Sequence, residues 1–236
     1  MYPEINRLLQ CPACGSDRLS DQALSETDKG RIKDGVISCL GSHTWYPIQD
    51  GLLELLTGDL VYKNDRASFI RKYASDLKKL GLDSSLSSTG TGDESLQLRQ
   101  QSHFDRWAHD GEQSYSDFES TPFWHAVDQL AFDPWRKEIQ KGKWLLDFGC
   151  AQGRSTLKVM DLDIHIPGID VPKYLVRQAI ERYRHGNYQA KATFVAADAN
   201  RLPVRDHAID YILATAFFTT CRTLENLPGD RTGFEV

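Results

Sequence analysis

Short apolar segments alternate with helical segments from residue 144 onward, and this rhythm limits the fold more than any other feature of the sequence. Between the apolar segments, helical patterns run over 154–162 and from Pro172 to Arg184. Alternating strands and helices predict a parallel α/β sheet with right-handed crossovers and ligand sites at the carboxyl ends of its strands. The predicted strands are WLLDF (144–148), HIPGID (165–170), ATFVAAD (192–198) and YILATAFF (211–218).

The N-terminal part of the chain, up to Thr57, follows a different pattern. Short apolar runs are broken there by turn-forming residues such as Pro12, Gly15 and Gly51, which predicts a small β-rich module. We therefore divide the chain into this module, a helical linker and cap region, and a Rossmann-like domain. The predicted boundaries are 1–57, 58–140 and 141–236.

The sequence of the linker and cap region predicts three helices and one flexible segment. Apolar residues recur at helical spacing over 66–80. Residues 81–95 are rich in Ser, Gly and Thr, as expected of a flexible linker. Residues 96–110 and 121–132 again predict helices, and Thr121 is the predicted N-cap of the second.

The loop DFGCAQG follows the first strand of the Rossmann-like domain, and Gly149 and Gly153 allow its backbone to approach a ligand closely. The Gly-x-x-x-Gly spacing differs from the G-x-G-x-x-G of dinucleotide sites. Asp147 suits a ligand with sulfonium and ammonium groups better than a pyrophosphate, because opposite charges attract. Asp170 and Asp198 end the next two strands, where they can accept hydrogen bonds from ribose hydroxyls and an adenine amino group.

Three segments, LLDFGCAQGRST, GIDVPKYLVRQA and FVAADANRLPVRDHAIDYILA, resemble the successive motifs of small-molecule-type class I methyltransferases. The resemblance covers residues 144–218 and implies a Rossmann-like sheet that binds S-adenosylmethionine. The implied cofactor-binding residues are Asp147, Gly149, Cys150, Ala151 and Gly153 on the methionine side, Asp170 at the ribose, Val171 against the ring system, and Asp198 with Ala199 at the adenine edge.

The segment after the fourth strand departs from the family in two ways. Many members have a polar or His-containing stretch there, whereas this chain has AFFTT (216–220), so no catalytic residue can be named. Positioning can supply much of the rate of an in-line methyl transfer, so this does not exclude an enzyme. The family also has three further strands, yet the sequence after Phe218 is too short to supply them. We therefore expect a C-terminally incomplete sheet, with a partner chain covering its exposed edge or a truncated, non-catalytic product.

The N-terminal module contains Cys11-x-x-Cys14 and, further along, Cys39-x-x-x-His43. Three thiolates and an imidazole suffice for a closed tetrahedral zinc site. A module this small has little apolar core and needs a metal ion or a similar cross-link for stability. The segment SCLGSHTWYPIQDGLLELL resembles zinc-ribbon modules fused to methyltransferases or acting as their activator subunits. Its Cys-x3-His ending is similar to that of zinc-containing rRNA guanine-N1 methyltransferases, which implies an RNA substrate and an RNA-reading module.

Charge favours a small-molecule acceptor over RNA. The net charge is −5, and residues 1–60 contain nine acidic and five basic residues, whereas phosphate contacts need clustered Lys and Arg. A lipid, quinone, sugar or secondary metabolite is therefore the expected acceptor, with an rRNA or tRNA methyltransferase as the alternative. No signal peptide or membrane-length apolar run is present, which favours a cytoplasmic protein.

Overall fold

The computed structural model describes residues 1–27, 30–82, 96–110 and 121–214. Residues 83–95 of the linker predicted over 81–95 and the end of the predicted fourth strand lie outside these residues. Within the described part, no helix combines the length and apolar character that crossing a membrane requires.

Within the described ranges, eight strands form one sheet in the order β1-β2-β3-β4-β7-β6-β5-β8. Their bounds are β1 Leu19–Glu26, β2 Ile32–Cys39, β3 Trp45–Gln49, β4 Leu52–Leu55, β5 Leu145–Phe148, β6 His165–Asp170, β7 Lys191–Ala197 and β8 Tyr211–Leu213. The α-helices are α1 Lys63–Lys72, α2 Ala74–Lys79, α3 Leu96–Asp110, α4 Pro122–Arg136, α5 Arg154–Leu157 and α6 Lys173–Arg184. Short 3-10 helices span Pro3–Arg7, Gly58–Leu60 and Ala199–Arg201.

The second half of the sheet is parallel, as the alternating pattern predicts. Strands β7, β6, β5 and β8 pair in parallel register, so their carboxyl ends meet at one edge. Helix α6 crosses between β6 and β7, and its predicted start after Pro172 is confirmed. The predicted α/β class, with a Rossmann-like sheet and a small β-rich N-terminal module, is therefore confirmed.

The N-terminal module extends this same sheet. Its strands β1 to β4 form an antiparallel meander, and β4 then pairs in parallel with β7 through Leu53 opposite Val195. The backbone of the module is thus hydrogen-bonded directly to the Rossmann-like part. The predicted domain boundaries stay predictions, but the strands on either side of them form a continuous sheet.

The two faces of the sheet carry separate apolar cores, because side chains alternate along each strand. On β4, Leu53 and Leu55 face a core made with the N-terminal module, whereas Leu52 faces the helical side. The module core includes Ile5, Leu9, Tyr46, Ile48, Phe148, Ile169 and Val195. The helical core includes Leu145, Ile166, Val176, Ile180 and Phe194. The strands of the module and of the Rossmann-like part therefore share the module core, in addition to the backbone hydrogen bonds between β4 and β7.

Two predicted helices are shorter than expected. The continuous helix over 66–80 is wrong, because the chain breaks at Tyr73 between α1 and α2. The Tyr73 hydroxyl donates to Asp34 Oδ2 at 2.6 Å, a long-range contact that the local pattern could not predict. The helix over 154–162 ends at Leu157, and the carbonyl of Met160 instead accepts from the N–H groups of the chain entering β7.

The predicted helix over 121–132 is confirmed and extends to Arg136. Thr121 caps it as predicted, since its side chain accepts from the N–H of Trp124. Helix α4 packs beside α5, where Asp128 accepts from Arg154 at 3.1 Å and also contacts Lys158. This helix therefore lies against the residues that directly follow the glycine loop.

Candidate functional site

The predicted ligand site lies at the carboxyl edge of β5, β6 and β7. Asp147 pairs opposite Gly168 of β6, and Asp170 pairs opposite Ala196 of β7. Asp198 follows two positions after Ala196 along the chain. Parallel pairing therefore brings the ends of these three strands together, although they are distant in sequence.

The loop after β5 requires glycine at its turns. Gly149 and Gly153 have φ angles of 76° and 75°, and Ala151 between them has a φ of 44°. A Cβ on Gly153 would lie 3.0 Å from the Cβ of Ala179 on α6. The second glycine is therefore needed both for its left-handed backbone and for close packing of the loop against α6.

Asp147 is almost completely buried beneath this loop, with 1% of its surface exposed. Thr156 donates a hydrogen bond to Oδ2, while Oδ1 has no partner among the described residues. Burial, and the nearby charge of Asp170, raise the pKa of Asp147 to about 7. A buried carboxylate oxygen without a donor provides a strong local preference for a positively charged or hydrogen-bonding ligand.

Asp170 is held by two backbone amides. Its Oδ2 accepts from the N–H of Ala151 at 2.8 Å, and its Oδ1 accepts from the N–H of Val171 at 2.7 Å. Burial raises its pKa to about 6, against the lowering effect of these hydrogen bonds. The carboxylate therefore ties the end of β6 to the glycine loop and has a fixed orientation.

Asp198 stands at the start of a 3-10 turn. Its side chain accepts from the backbone N–H and the side-chain amide of Asn200, at 2.9 and 3.0 Å. Ala199 follows it and is partly buried against the module core. Val171 is likewise partly buried, but against the helical core.

Cys150 lies within the glycine loop and packs in the helical core. It is 3% exposed, and burial raises the pKa of its thiol well above the usual value. A thiol that is both inaccessible and protonated is a poor nucleophile. Its burial therefore indicates that Cys150 packs in the loop and does not act as a nucleophile.

A buried charged cluster beside this edge was missed by sequence reasoning. The ammonium of Lys173, 1% exposed, lies 2.8 Å from Glu54 Oε2 and 2.7 Å from Asp65 Oδ2. It also lies 5.0 Å from the centre of the Tyr62 ring. Lys173 begins α6 shortly after Asp170, so the cluster fixes the segment that follows the end of β6.

Tyr62 extends the cluster through hydrogen bonds. Its hydroxyl accepts from the backbone N–H of Lys173 at 3.0 Å and donates to Asp105 Oδ2 at 2.6 Å. Burial raises the pKa of Asp105 despite this bond. Two signals could have pointed here: an acidic residue, Glu54, within the apolar run LLELL, and a lysine in the first helical turn, where the helix dipole disfavours cations.

Three of the four predicted metal ligands meet in the N-terminal module. The Sγ atoms of Cys11, Cys14 and Cys39 all lie within 4.8 Å of one another. The Cys14 and Cys39 sulfurs are 3.6 Å apart, close to the roughly 3.8 Å expected for two thiolates on one tetrahedral zinc ion. The backbone N–H groups of Gly41 and Ser42 donate to Cys39 Sγ at 3.3 and 3.4 Å. Although burial opposes it, hydrogen bonds from Ser42 and Gly41 lower the pKa of the Cys39 thiol to about 6.

His43 is not brought into this thiol cluster. Within the described residues, the group of candidate ligands contains the three cysteines and no histidine. His43 is exposed and has a φ of 57°. The Cys11 sulfur instead lies 3.2 Å from the Tyr46 hydroxyl and 3.5 Å from Ser42 Oγ.

Comparison with known families adds independent evidence about the Rossmann-like part. Residues 145–227 match the family model described as a methyltransferase domain. This segment is similar to a methyltransferase domain. The match includes the glycine loop and the three edge carboxylates, Asp147, Asp170 and Asp198, so the resemblance of the segment to class I methyltransferases is confirmed. No curated protein matches the chain.

Solved structures provide more distant likenesses. A Methanococcus maripaludis protein assigned to the S-adenosylmethionine-dependent methyltransferases is 14% identical, with a TM-score of 0.42, over 52% of this chain and 54% of that one. A phosphoethanolamine N-methyltransferase of Haemonchus contortus is 16% identical, with a TM-score of 0.37, over 50% and 27%. A chain from the Haloferax volcanii complex of the Trm112 methyltransferase activator with a methyltransferase is 20% identical, with a TM-score of 0.34, over 47% and 46%. The chain thus matches about half or less of the length of each.

Proposed function

We propose that the chain binds S-adenosylmethionine at the carboxyl edge of β5 to β7 and transfers its methyl group to a small-molecule acceptor. The observation that carries the proposal is the joint placement of the glycine loop, Asp147 and Asp170 within the matched methyltransferase domain. The cofactor supplies an activated methyl group on a sulfonium. The protein supplies orientation, charge and exclusion of water.

The residues present fit such a cofactor. Asp147 offers a buried oxygen without a donor among the described residues, and Asp170 offers a carboxylate held in one orientation. Both favour positive charge or hydroxyl donors in a low-dielectric setting. The left-handed turns at Gly149 and Gly153 shape the loop, and Gly153 lets it pack closely against α6. Val171 would pack against the ring system, and the backbone N–H of Ala199 would bind the adenine edge together with Asp198.

The preference for a small-molecule acceptor over RNA rests on the net charge of the chain. A net charge of −5 gives little attraction to a phosphate backbone. Incubation with labelled S-adenosylmethionine and either total RNA or a small-molecule extract separates the two acceptor classes. Label in the small-molecule fraction alone is expected, while label in RNA, together with salt-dependent RNA binding, would favour the alternative.

Asp170→Ala and Asp198→Ala are expected to weaken binding of S-adenosylmethionine by about 1–3 kcal/mol each, because each leaves ligand donors unpaired. Isothermal titration calorimetry with S-adenosylmethionine and S-adenosylhomocysteine measures this. Asp206→Ala is the matched control, since Asp206 is exposed and lies outside the strand ends. Wild-type affinity in both site variants would refute the assigned site.

Affinity for S-adenosylmethionine is expected to depend on pH through Asp170. Its pKa of about 6 in the free protein means that the carboxyl is half protonated at pH 6. Ribose hydroxyls and positive charge favour the ionised form, so ligand binding releases a proton below this pH. Affinity should therefore rise by up to about tenfold per unit as pH increases towards 6, then level off above pH 7, where Asp147 has also ionised.

Calorimetry between pH 5 and pH 8 tests this profile. Asp170→Asn should bind more weakly at pH 7 and lose the dependence around pH 6. A wild-type profile without any slope between pH 5 and pH 7 would contradict a role for these carboxylates.

We also propose that Cys11, Cys14 and Cys39 hold a structural zinc ion. Thiolates are preferred zinc ligands, and the cluster spacing suits tetrahedral binding. The sequence offers His43 as the fourth ligand, but the thiols alone carry the proposal. The ion would link the turn at Cys11–Cys14 to the end of β2.

A further inference from the structure

A cleft with a volume of about 370 Å³ opens at the C-terminal end of helix α6, away from the carboxyl edge of the sheet. It is lined by Tyr2, Arg31 and Lys33 from the N-terminal module and by Ile180 and Tyr183 from α6. At a rise of about 1.5 Å per residue, the cleft-lining residues Ile180 and Arg184 lie about 10 and 16 Å along the axis of α6 from Lys173 and the carboxyl edge. The cleft is therefore distinct from the proposed cofactor site, and its volume lies within the range of small-molecule sites.

Among the described residues that line the cleft, three side chains are cationic, Arg31, Lys33 and Arg184, and one, Asp50, is anionic. Of its three cationic side chains, Arg184 is already paired with Asp50 at 2.9 Å and Glu181 at 2.7 Å. Across the described ranges, no carboxylate forms an ion pair with Arg31 or Lys33. The Arg31 Nε is buried without a hydrogen-bond partner among these residues, and its guanidinium lies 5.6 Å from the centre of the Tyr2 ring. A desolvated guanidinium donor without an acceptor favours an anionic ligand.

The Met1 amino group lies at the same cleft. It donates to the carbonyl of Ile32 at 2.7 Å and lines the cleft. Burial, followed by the charges of Arg31 and Arg184, lowers the pKa of this amine to about 5. Burial is the larger cause of this shift, and the two guanidinium charges add to it.

The other wall of the cleft is apolar and aromatic. Ile180, Tyr183 and Phe194 line it. The hydroxyls of Tyr2 and Tyr183 lie 2.9 Å apart, and Tyr183 donates to the carbonyl of Ala190 at 3.1 Å. Tyr2 therefore donates to Tyr183, and both hydroxyls have partners within the protein.

We infer that this cleft binds a small phosphate monoester whose apolar or aromatic body packs on Tyr183 and Ile180. Arg31 and Lys33 hold the phosphate, and their two positive charges match its two negative charges. The ligand therefore bridges the N-terminal module and the methyltransferase domain without entering the proposed cofactor site.

Calorimetry with three probes of similar body tests the inference: phenyl phosphate as the dianion, benzoate as the monoanion and benzyl alcohol as the neutral form, at constant ionic strength. Phenyl phosphate should bind best, benzoate more weakly and benzyl alcohol not detectably. Arg31→Gln and Lys33→Gln should each weaken phenyl phosphate binding about tenfold or more, because each removes a charge-assisted contact.

Two controls separate this site from the proposed cofactor site. Lys79→Gln removes an exposed lysine on α2 and should leave phenyl phosphate binding unchanged. Asp170→Ala should also retain it, so a failure of the cofactor assignment would leave this result intact. Equal binding of benzyl alcohol, tighter binding of benzoate, no binding of phenyl phosphate, or wild-type affinity in the Arg31→Gln/Lys33→Gln double variant would overturn the inference. Circular dichroism confirms that each variant is folded.

Discussion

Cys39→Ser is expected to abolish zinc binding and to destabilise the whole fold. Its sulfur lies within the cluster with the other two thiols and accepts from two backbone amides, whereas a serine hydroxyl is a poor zinc ligand. Structural zinc contributes about 10–16 kcal/mol to folding in small zinc modules. That is comparable with the roughly 5–15 kcal/mol total stability of a typical protein.

The loss of stability should spread beyond the module, because the sheet and the module core contain residues of both the module and the Rossmann-like part. Cys39 ends β2, and β2 is linked through β3 and β4 to β7 of the methyltransferase domain. If the module unfolded, β7 would lose β4, one of its two neighbours, and Val195 would lose its core partners from the module. We therefore expect one unfolding transition, shifted to much lower temperature, rather than the separate loss of a small domain.

Atomic emission spectroscopy and thermal unfolding with and without a chelator measure both effects. Wild-type protein should contain one zinc per chain and lose stability in the chelator, while Cys39→Ser should contain none and show no response. His43→Ala is the matched control. Since the His43 side chain lies outside the thiol cluster, this variant should keep its zinc. Metal loss in His43→Ala would identify histidine as the fourth ligand, and native stability in Cys39→Ser would refute the zinc proposal.

The strands were predictable because their signal is local. Residues 165–170 form β6 as predicted, and the predicted strand at 192–198 differs from β7 by one residue at each end. Each combines a short apolar run with turn residues on either side, so nearby sequence contains the information. The helices at 66–80 and 154–162 were predicted too long, since the backbone at Tyr73 and Met160 follows contacts made with distant segments.

The same distinction separates the two parts of the candidate site. Asp147, Asp170 and Asp198 stand at strand ends, where the topology of a parallel sheet brings carboxylates together. The ion pair between Glu54 and Lys173 spans 119 positions of sequence and depends on β4 pairing with β7, which no local pattern predicts. The sequence indicates a separate N-terminal module, whereas the structure makes its fourth strand a neighbour of the proposed cofactor site.

Lys173→Met is expected to destabilise the protein by about 3–5 kcal/mol, because it leaves Glu54 as a buried charge without a counterion. The Glu54 side chain is 3% exposed, and its Oε1 already lacks a partner among the described residues. Lys173 is its counterion, so the carboxylate would have to be protonated, find water or move. Urea denaturation monitored by tryptophan fluorescence measures the change.

Glu54→Gln should cost less than Lys173→Met, because Lys173 retains Asp65, 2.7 Å away and partly open to solvent. The double variant should be more stable than the sum of the two single effects predicts, since each partner is harmful mainly when it is left alone. Lys191→Met is the matched control: its pair with Glu4 is exposed, so its effect should stay below about 1 kcal/mol.

The pair has a further consequence for the proposed site. Pro172 and Lys173 directly follow the end of β6, where Asp170 is oriented by backbone amides. If Lys173→Met releases this segment, binding of S-adenosylmethionine should weaken at temperatures where the variant remains folded, whereas Lys191→Met should bind normally. Equal stability of Lys173→Met and wild type would mean that Glu54 is solvated, and the buried ion pair would then lose its structural role. If Lys173→Met lowers stability but leaves the affinity for S-adenosylmethionine unchanged, the Glu54–Lys173 pair joins the module to the sheet and has no effect on the proposed site.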